Sequence, residues 1–210
     1  SSYYYDDKEY VQSSLFSQMN ELSGFELDEE YSTQEHSIFH NKQTKETVVS
    51  FAGSKKIDDI ITNTNVLLGN EHTTRRYKDS EKVFEAVSEK YGKENVTVVG
   101  HSLGGGISTH VAEKYDNQGF HFNPAISHTQ TFSRKHHHNE HVQQIYRTKL
   151  DPVSIAAEVI SDKQPKRRVH TVANNTKTHA HSIHNFYDDK AKRNENGSYT
   201  VKKEKLHDTI

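Results

Sequence analysis

The stretch Asn95-Val96-Thr97-Val98-Val99-Gly100-His101-Ser102-Leu103-Gly104-Gly105 restricts the fold more than any other part of the chain. A β-branched run of this kind reads as a strand buried on both faces. The segment Leu103 to Tyr115 behind it carries Ile107, Val111 and Ala112 on one helical face. Between them lies Gly-x-Ser-x-Gly. A serine on so tight a strand-to-helix turn adopts a strained backbone, and side chains at Gly100 and Gly104 would collide with the neighbouring strand and helix. The turn raises the serine hydroxyl above the sheet. It also puts the N–H of Leu103 at a helix N-terminus, where it can stabilise an oxyanion. A glycine-rich αβ turn with no chemistry is the plain alternative.

The rest of the chain extends this unit. Tyr10 to Leu22 is expected to be a helix, with Val11, Leu15, Phe16 and Met19 at helical spacing. Ser37 to His40 and Thr47 to Phe51 read as a hairpin around an Asn41 to Lys45 turn. Ser80 to Tyr91 reads as a helix capped by Asp79 or Ser80 and stopped by Gly92. Gly119 to Phe122, His141 to Arg147 and Arg168 to Val172 are strand candidates. Strands alternating with helices predict an α/β class fold with a mostly parallel central sheet and helices on both faces. The 210 residues suit one domain, since domains run about 100–200 residues. The end from Asp188, charged and bearing the turn signal Asn196-Gly197, is expected to be peripheral, as a hairpin or a flexible tail.

Composition narrows the function classes. The net charge of −2 gives no positive excess for phosphate backbones, so nucleic acid is not an expected partner. No cysteine is present, so no disulfide staples the fold. No apolar run approaches the roughly 20 residues of a membrane span.

A nucleophilic serine needs a base, and the base needs an orienting acid. In a strand-turn-helix setting these follow in the order Ser, Asp or Glu, His. Asp151 comes after the apolar segment Val142 to Tyr146 and before Pro152, a placement that also suits an ordinary Asp-Pro turn or cap. Asp116, Asp162, Asp188 and Asp189 have weaker settings. For the base, His179, His181 and His184 all lie beyond the last core strand. His181 is preferred, because Ile183 and Phe186 can anchor its loop. The second oxyanion donor belongs on a loop after an earlier strand. The N–H of Ser54, closing Phe51-Ala52-Gly53-Ser54, fits, although a strand-ending Gly-Ser turn needs no such role.

Together these residues resemble the class 3 lipase family of α/β-hydrolases. The resemblance rests on Phe51-Ala52-Gly53-Ser54, Gly100 to Gly105, Asp151-Pro152-Val153 and His181-Ser182-Ile183-His184-Asn185-Phe186, and spans about Val48 to Phe186. It implies an α/β-hydrolase fold and hydrolysis of carboxylic esters of lipids. Ser102, Asp151 and His181 would be the triad, the amides of Ser54 and Leu103 the oxyanion hole, and no cofactor or metal would take part. The expected partner is a lipid or other ester, met in transient contact with a membrane or micelle surface. The chain departs from the family at Ala52, where an arginine is usual, and at Phe122-Asn123-Pro124, where a Gly-x-Pro turn is common. It is also shorter than the secreted members and lacks their disulfides. An acyltransferase, or a catalytically inactive binding module on the same fold, would share most of these features.

Two further segments invite function. Ile60-Ile61 and Val66-Leu67-Leu68 occupy the place of a lipid-facing flap or short lid, with plain core packing the alternative. The run His136-His137-His138-Asn139-Glu140-His141 has zinc-ligand residue types, but adjacent histidines cannot all face one ion, and a solvated loop is expected. Pro165-Lys166-Arg167-Arg168 is expected to be a solvated strand entry.

Overall fold

A computed structural model describes residues 24–53, 71–125, 141, 143–149, 151, 153, 167–173, 180–186, 192–193 and 199–200. Its strands are β1 (Phe25–Leu27), β2 (His36–Asn41), β3 (Thr47–Phe51), β4 (Val96–His101), β5 (Gln118–Phe122), β6 (Gln143–Thr148) and β7 (Arg167–Val172). They form one seven-stranded sheet in sequential order. β1 to β3 are antiparallel, and β3 to β7 are parallel. The chain has an α/β fold with a mostly parallel central sheet.

Two helices, α1 (Glu71–Tyr91) and α2 (Leu103–Tyr115), make the crossovers from β3 to β4 and from β4 to β5. Both connections advance across the sheet in the same direction. Right-handed crossovers that do so must lay their helices on the same face. Phe84 and Val87 of α1 and Ile107, Val111 and Ala112 of α2 accordingly share one core cluster with Ile38, Val49, Val96 and Val98. On the opposite face the rings of Phe122, Tyr146 and His170 stack across three parallel strands, at centroid distances of 5.3 and 4.6 Å. Phe186 packs on the same face, against Phe122. The Tyr10 to Leu22 and Ile60 to Leu68 segments lie outside the described residues.

The β2–β3 hairpin turns where its residues allow it. Asn41 Oδ1 accepts the N–H groups of Gln43 and Thr44 at 2.9 and 3.1 Å, and Lys45 takes the positive φ of 67° that closes the turn. α1 begins at Glu71, well before its expected start at Ser80. Asp79 and Ser80 therefore stand inside the helix, and the Ser80 hydroxyl bonds back to the Tyr77 carbonyl at 2.7 Å instead of capping. Arg167 is also not solvated. Its guanidinium is buried and pairs with both carboxylate oxygens of Glu113 on α2, with Nη2 to Oε2 at 2.8 Å. Beyond the sheet, β8 (Lys192–Arg193) and β9 (Tyr199–Thr200) pair antiparallel around the Asn196-Gly197 signal. Among the described residues no helix is long and apolar enough to cross a membrane.

The helix-covered face also buries a polar chain. His121 on β5 is 0% exposed, with Nδ1 2.7 Å from Ser108 Oγ and Nε2 3.0 Å from Gln143 Oε1. Gln143 in turn donates to the Asn117 carbonyl at 2.8 Å. Burial pushes His121 down to about 4, so it stays neutral in the folded protein. Unfolded, it binds a proton below about pH 6.5. Between these values the unfolded state holds more protons, so stability falls as pH drops from about 6.5 towards 4. The expected result is a flatter melting-temperature profile over that range for His121→Gln than for the parent. Parallel profiles would show that His121 does not carry the acid sensitivity.

Candidate active site

β4 enters the elbow and α2 leaves it. Ser102 between them has φ 58° and ψ −124°, a strained conformation for a side chain-bearing residue. The turn closes only because its neighbours are bare. A Cβ on Gly100 would run into the Gly104 carbonyl, and one on Gly104 into the Phe51 carbonyl. The Ser102 N–H bonds to the Phe122 carbonyl at 3.1 Å. The Ser102 carbonyl accepts from Gly106 and Ala125 at 3.0 and 2.9 Å, which pins the elbow to β5 and α2 together.

The three groups singled out in the sequence come together. His181 Nε2 lies 2.8 Å from Ser102 Oγ, and His181 Nδ1 lies 3.0 Å from Asp151 Oδ1. The carboxylate only accepts, so Nδ1 carries the imidazole proton and Nε2 is left to accept from the serine hydroxyl. Asp151 Oδ1 also accepts the Val153 N–H at 3.2 Å, so it serves its own turn and the imidazole at once. All three residues are buried, with Ser102 and His181 1% and Asp151 0% exposed.

Asp116 is remote from the row and binds His141, at 3.0 Å through the backbone N–H. Asp162, Asp188, Asp189 and His179 lie outside the described residues, and of His184 only the backbone is described. Leu103 is the first residue of α2, where an N–H has no acceptor within the helix. Ser54 lies outside the described residues, which end at Gly53 on that side. His136, His137 and His138 do too, and among the described residues no group of three or more His, Asp or Glu side chains is arranged to hold a metal ion.

Three supports were not visible in the sequence. His101, the last residue of β4, donates from Nε2 to the His181 carbonyl at 2.8 Å. Burial, reinforced by the His181 ring 5.1 Å away, pushes His101 down to about 3, so it acts as a neutral tether. Arg76 of α1, also buried, donates from Nη2 to the Ala52 carbonyl at 2.6 Å and fixes the end of β3 beside the elbow. A guanidinium therefore reaches this strand end from a helix, although residue 52 is alanine. Asn185 donates from Nδ2 to the carbonyls of Ala180 and Ser182 at 3.2 and 3.0 Å. Phe186 packs edge-on against Phe122 with centroids 5.2 Å apart, and Ile183 is buried, so both anchor the loop as the sequence suggested.

Solved structures of similar shape are esterases and lipases at low identity. A triacylglycerol lipase from Penicillium expansum is 15% identical with TM-score 0.47, covering 79% of this chain and 79% of its own. The Bacillus cereus carboxylesterase is 13% identical with TM-score 0.45, covering 79% of this chain and 90% of its own. An esterase from Pyrobaculum calidifontis is 14% identical with TM-score 0.40, and the match covers 53% of this chain and only 54% of that one. No curated protein matches the chain in sequence. A family model does match, over residues 6–197: with most of its length covered, the chain belongs to the phospholipase-like family described as the Tle-like phospholipase domain.

Proposed function

We propose that the protein hydrolyses carboxylic ester bonds of lipids, with phospholipid acyl esters as the substrate class. The observation that carries this reading is the continuous hydrogen-bonded row from Ser102 Oγ through His181 to Asp151. Membership of a phospholipase-like family and the resemblance of the motifs to class 3 lipases favour a lipid as the ester.

In this mechanism His181 Nε2 takes the Ser102 proton as Oγ attacks the ester carbonyl. The positive imidazolium that forms is stabilised by Asp151. The Leu103 N–H, at the positive end of α2, supports the charge that develops on the carbonyl oxygen, and Ser54 is the proposed second donor. His181 then protonates the departing alcohol. Water, activated by the same imidazole, releases the fatty acid from the acyl-serine.

A bilayer or micelle surface is the setting proposed for catalysis, because it presents such esters to the site. The test is a panel of phosphatidyl lipids and p-nitrophenyl esters, each offered below and above its micelle-forming concentration. Release of fatty acid from phospholipid, rising once micelles form, is the expected result. Hydrolysis of none of the esters would contradict the proposal.

A further inference from the structure

Asn123 follows β5 at the point where the sequence departs from the usual glycine-containing turn, and its contacts converge on the two halves of the site. Its side chain is 0% exposed. Oδ1 accepts the Thr148 N–H at 2.8 Å, while Nδ2 lies 3.2 Å from Thr148 Oγ1 and 3.3 Å from the Ala180 carbonyl. The backbone N–H binds the Tyr146 carbonyl at 2.7 Å. Thr148 ends β6, and its carbonyl accepts the Asp151 N–H at 3.2 Å, so it opens the turn that presents the acid. Ala180 immediately precedes His181. One amide therefore joins the acid-bearing turn to the base-bearing loop.

We infer that Asn123 is a positioning residue that sets the Asp151–His181 spacing. This rests on the reading of Ser102, His181 and Asp151 as the catalytic groups. The site asks for an acceptor facing one loop and a donor facing the other, from a short side chain on a backbone with φ 40°. Asparagine supplies both and tolerates the left-handed region better than most residues. Aspartate would place an acceptor against the Ala180 carbonyl. Glycine would keep the backbone and delete the bracket. The loops would then be held by His101 and Asn185 on one side and by the Asp151 turn on the other, with no side chain of residue 123 spanning them.

Asn123→Gly isolates the side chain, because glycine accepts the same φ. Loss of a supporting partner of this kind should lower kcat about 10- to 100-fold, with KM changed less than about twofold. In an Asp151→Asn background the same substitution should cost less than about threefold, because the spacing it maintains no longer matters. A second readout needs no turnover: the low-field proton resonance of the hydrogen-bonded His181 Nδ1–H, assigned by its loss in His181→Gln. It should broaden or vanish in Asn123→Gly and in Asn123→Asp while circular dichroism shows the fold intact. Asn123→Asp retains the Thr148 bond and serves if the glycine variant does not fold. An unchanged resonance in the folded variants, or an equal kcat cost in both backgrounds, would overturn the inference. A parent protein that shows the resonance but hydrolyses no ester would instead overturn the functional reading and leave the bracket standing.

Discussion

Replacing Ser102 with alanine should lower ester hydrolysis on the order of 10⁴- to 10⁶-fold and abolish labelling by a serine-directed fluorophosphonate. The size of the loss follows from the geometry. His181 Nε2 has one partner in the row, the hydroxyl at 2.8 Å, and with it gone no covalent route is left. The elbow itself should survive. Its backbone is held by the bonds from Ser102 N to Phe122 and from Gly106 and Ala125 to the Ser102 carbonyl, none of which involves Oγ. Losing one hydrogen bond costs about 1 kcal/mol, so the melting temperature should move by no more than a few degrees. Full labelling of the alanine variant, or a wholesale loss of folding, would contradict this account.

Asp151→Asn should cost on the order of 10⁴-fold in kcat, with KM little changed. The volumes match, so packing is kept, but the one oxygen that accepts the Val153 N–H at 3.2 Å and faces His181 Nδ1 at 3.0 Å becomes half of a neutral amide. What is lost is the acceptor that holds the proton on His181 Nδ1. An amide NH2 turned towards Nδ1 favours the opposite tautomer, which puts a hydrogen on Nε2 where the serine needs a lone pair. The negative charge that stabilises the imidazolium disappears as well, in a setting where both partners are shielded from water. Steady-state kinetics of the purified variant, with circular dichroism to confirm folding, provide the check. A variant keeping a tenth or more of the parent kcat would show that the contact is only a turn cap.

The elbow was legible because its causes are local. Strand, glycines, serine and helix lie within about twenty consecutive residues, and each leaves its own mark on the sequence. The neighbourhoods of Asp151 and His181 were legible through adjacent apolar and proline residues. The long start of α1 was not: Glu71 to Lys78 holds no apolar residue but Tyr77, so helical periodicity has nothing to register there. β1 has only three residues, too few for an alternating pattern. The supports around the site were hidden for another reason. Arg76 reaches a carbonyl 24 residues away, Asn123 one 57 residues away and His101 one 80 residues away. Contacts between a side chain and a distant carbonyl impose no spacing on the sequence. The one trace they leave is a polar residue where a non-polar or glycine residue would be expected, as at Asn123.

The most direct measurement of the central claim is mass spectrometry of the intact protein after a fluorophosphonate or a slowly released acyl ester, followed by peptide mapping. A single adduct on the peptide that carries Ser102, absent after His181→Gln, is what the hydrogen-bonded row predicts. An adduct on another residue, or none in protein that is turning over phospholipid, would contradict it.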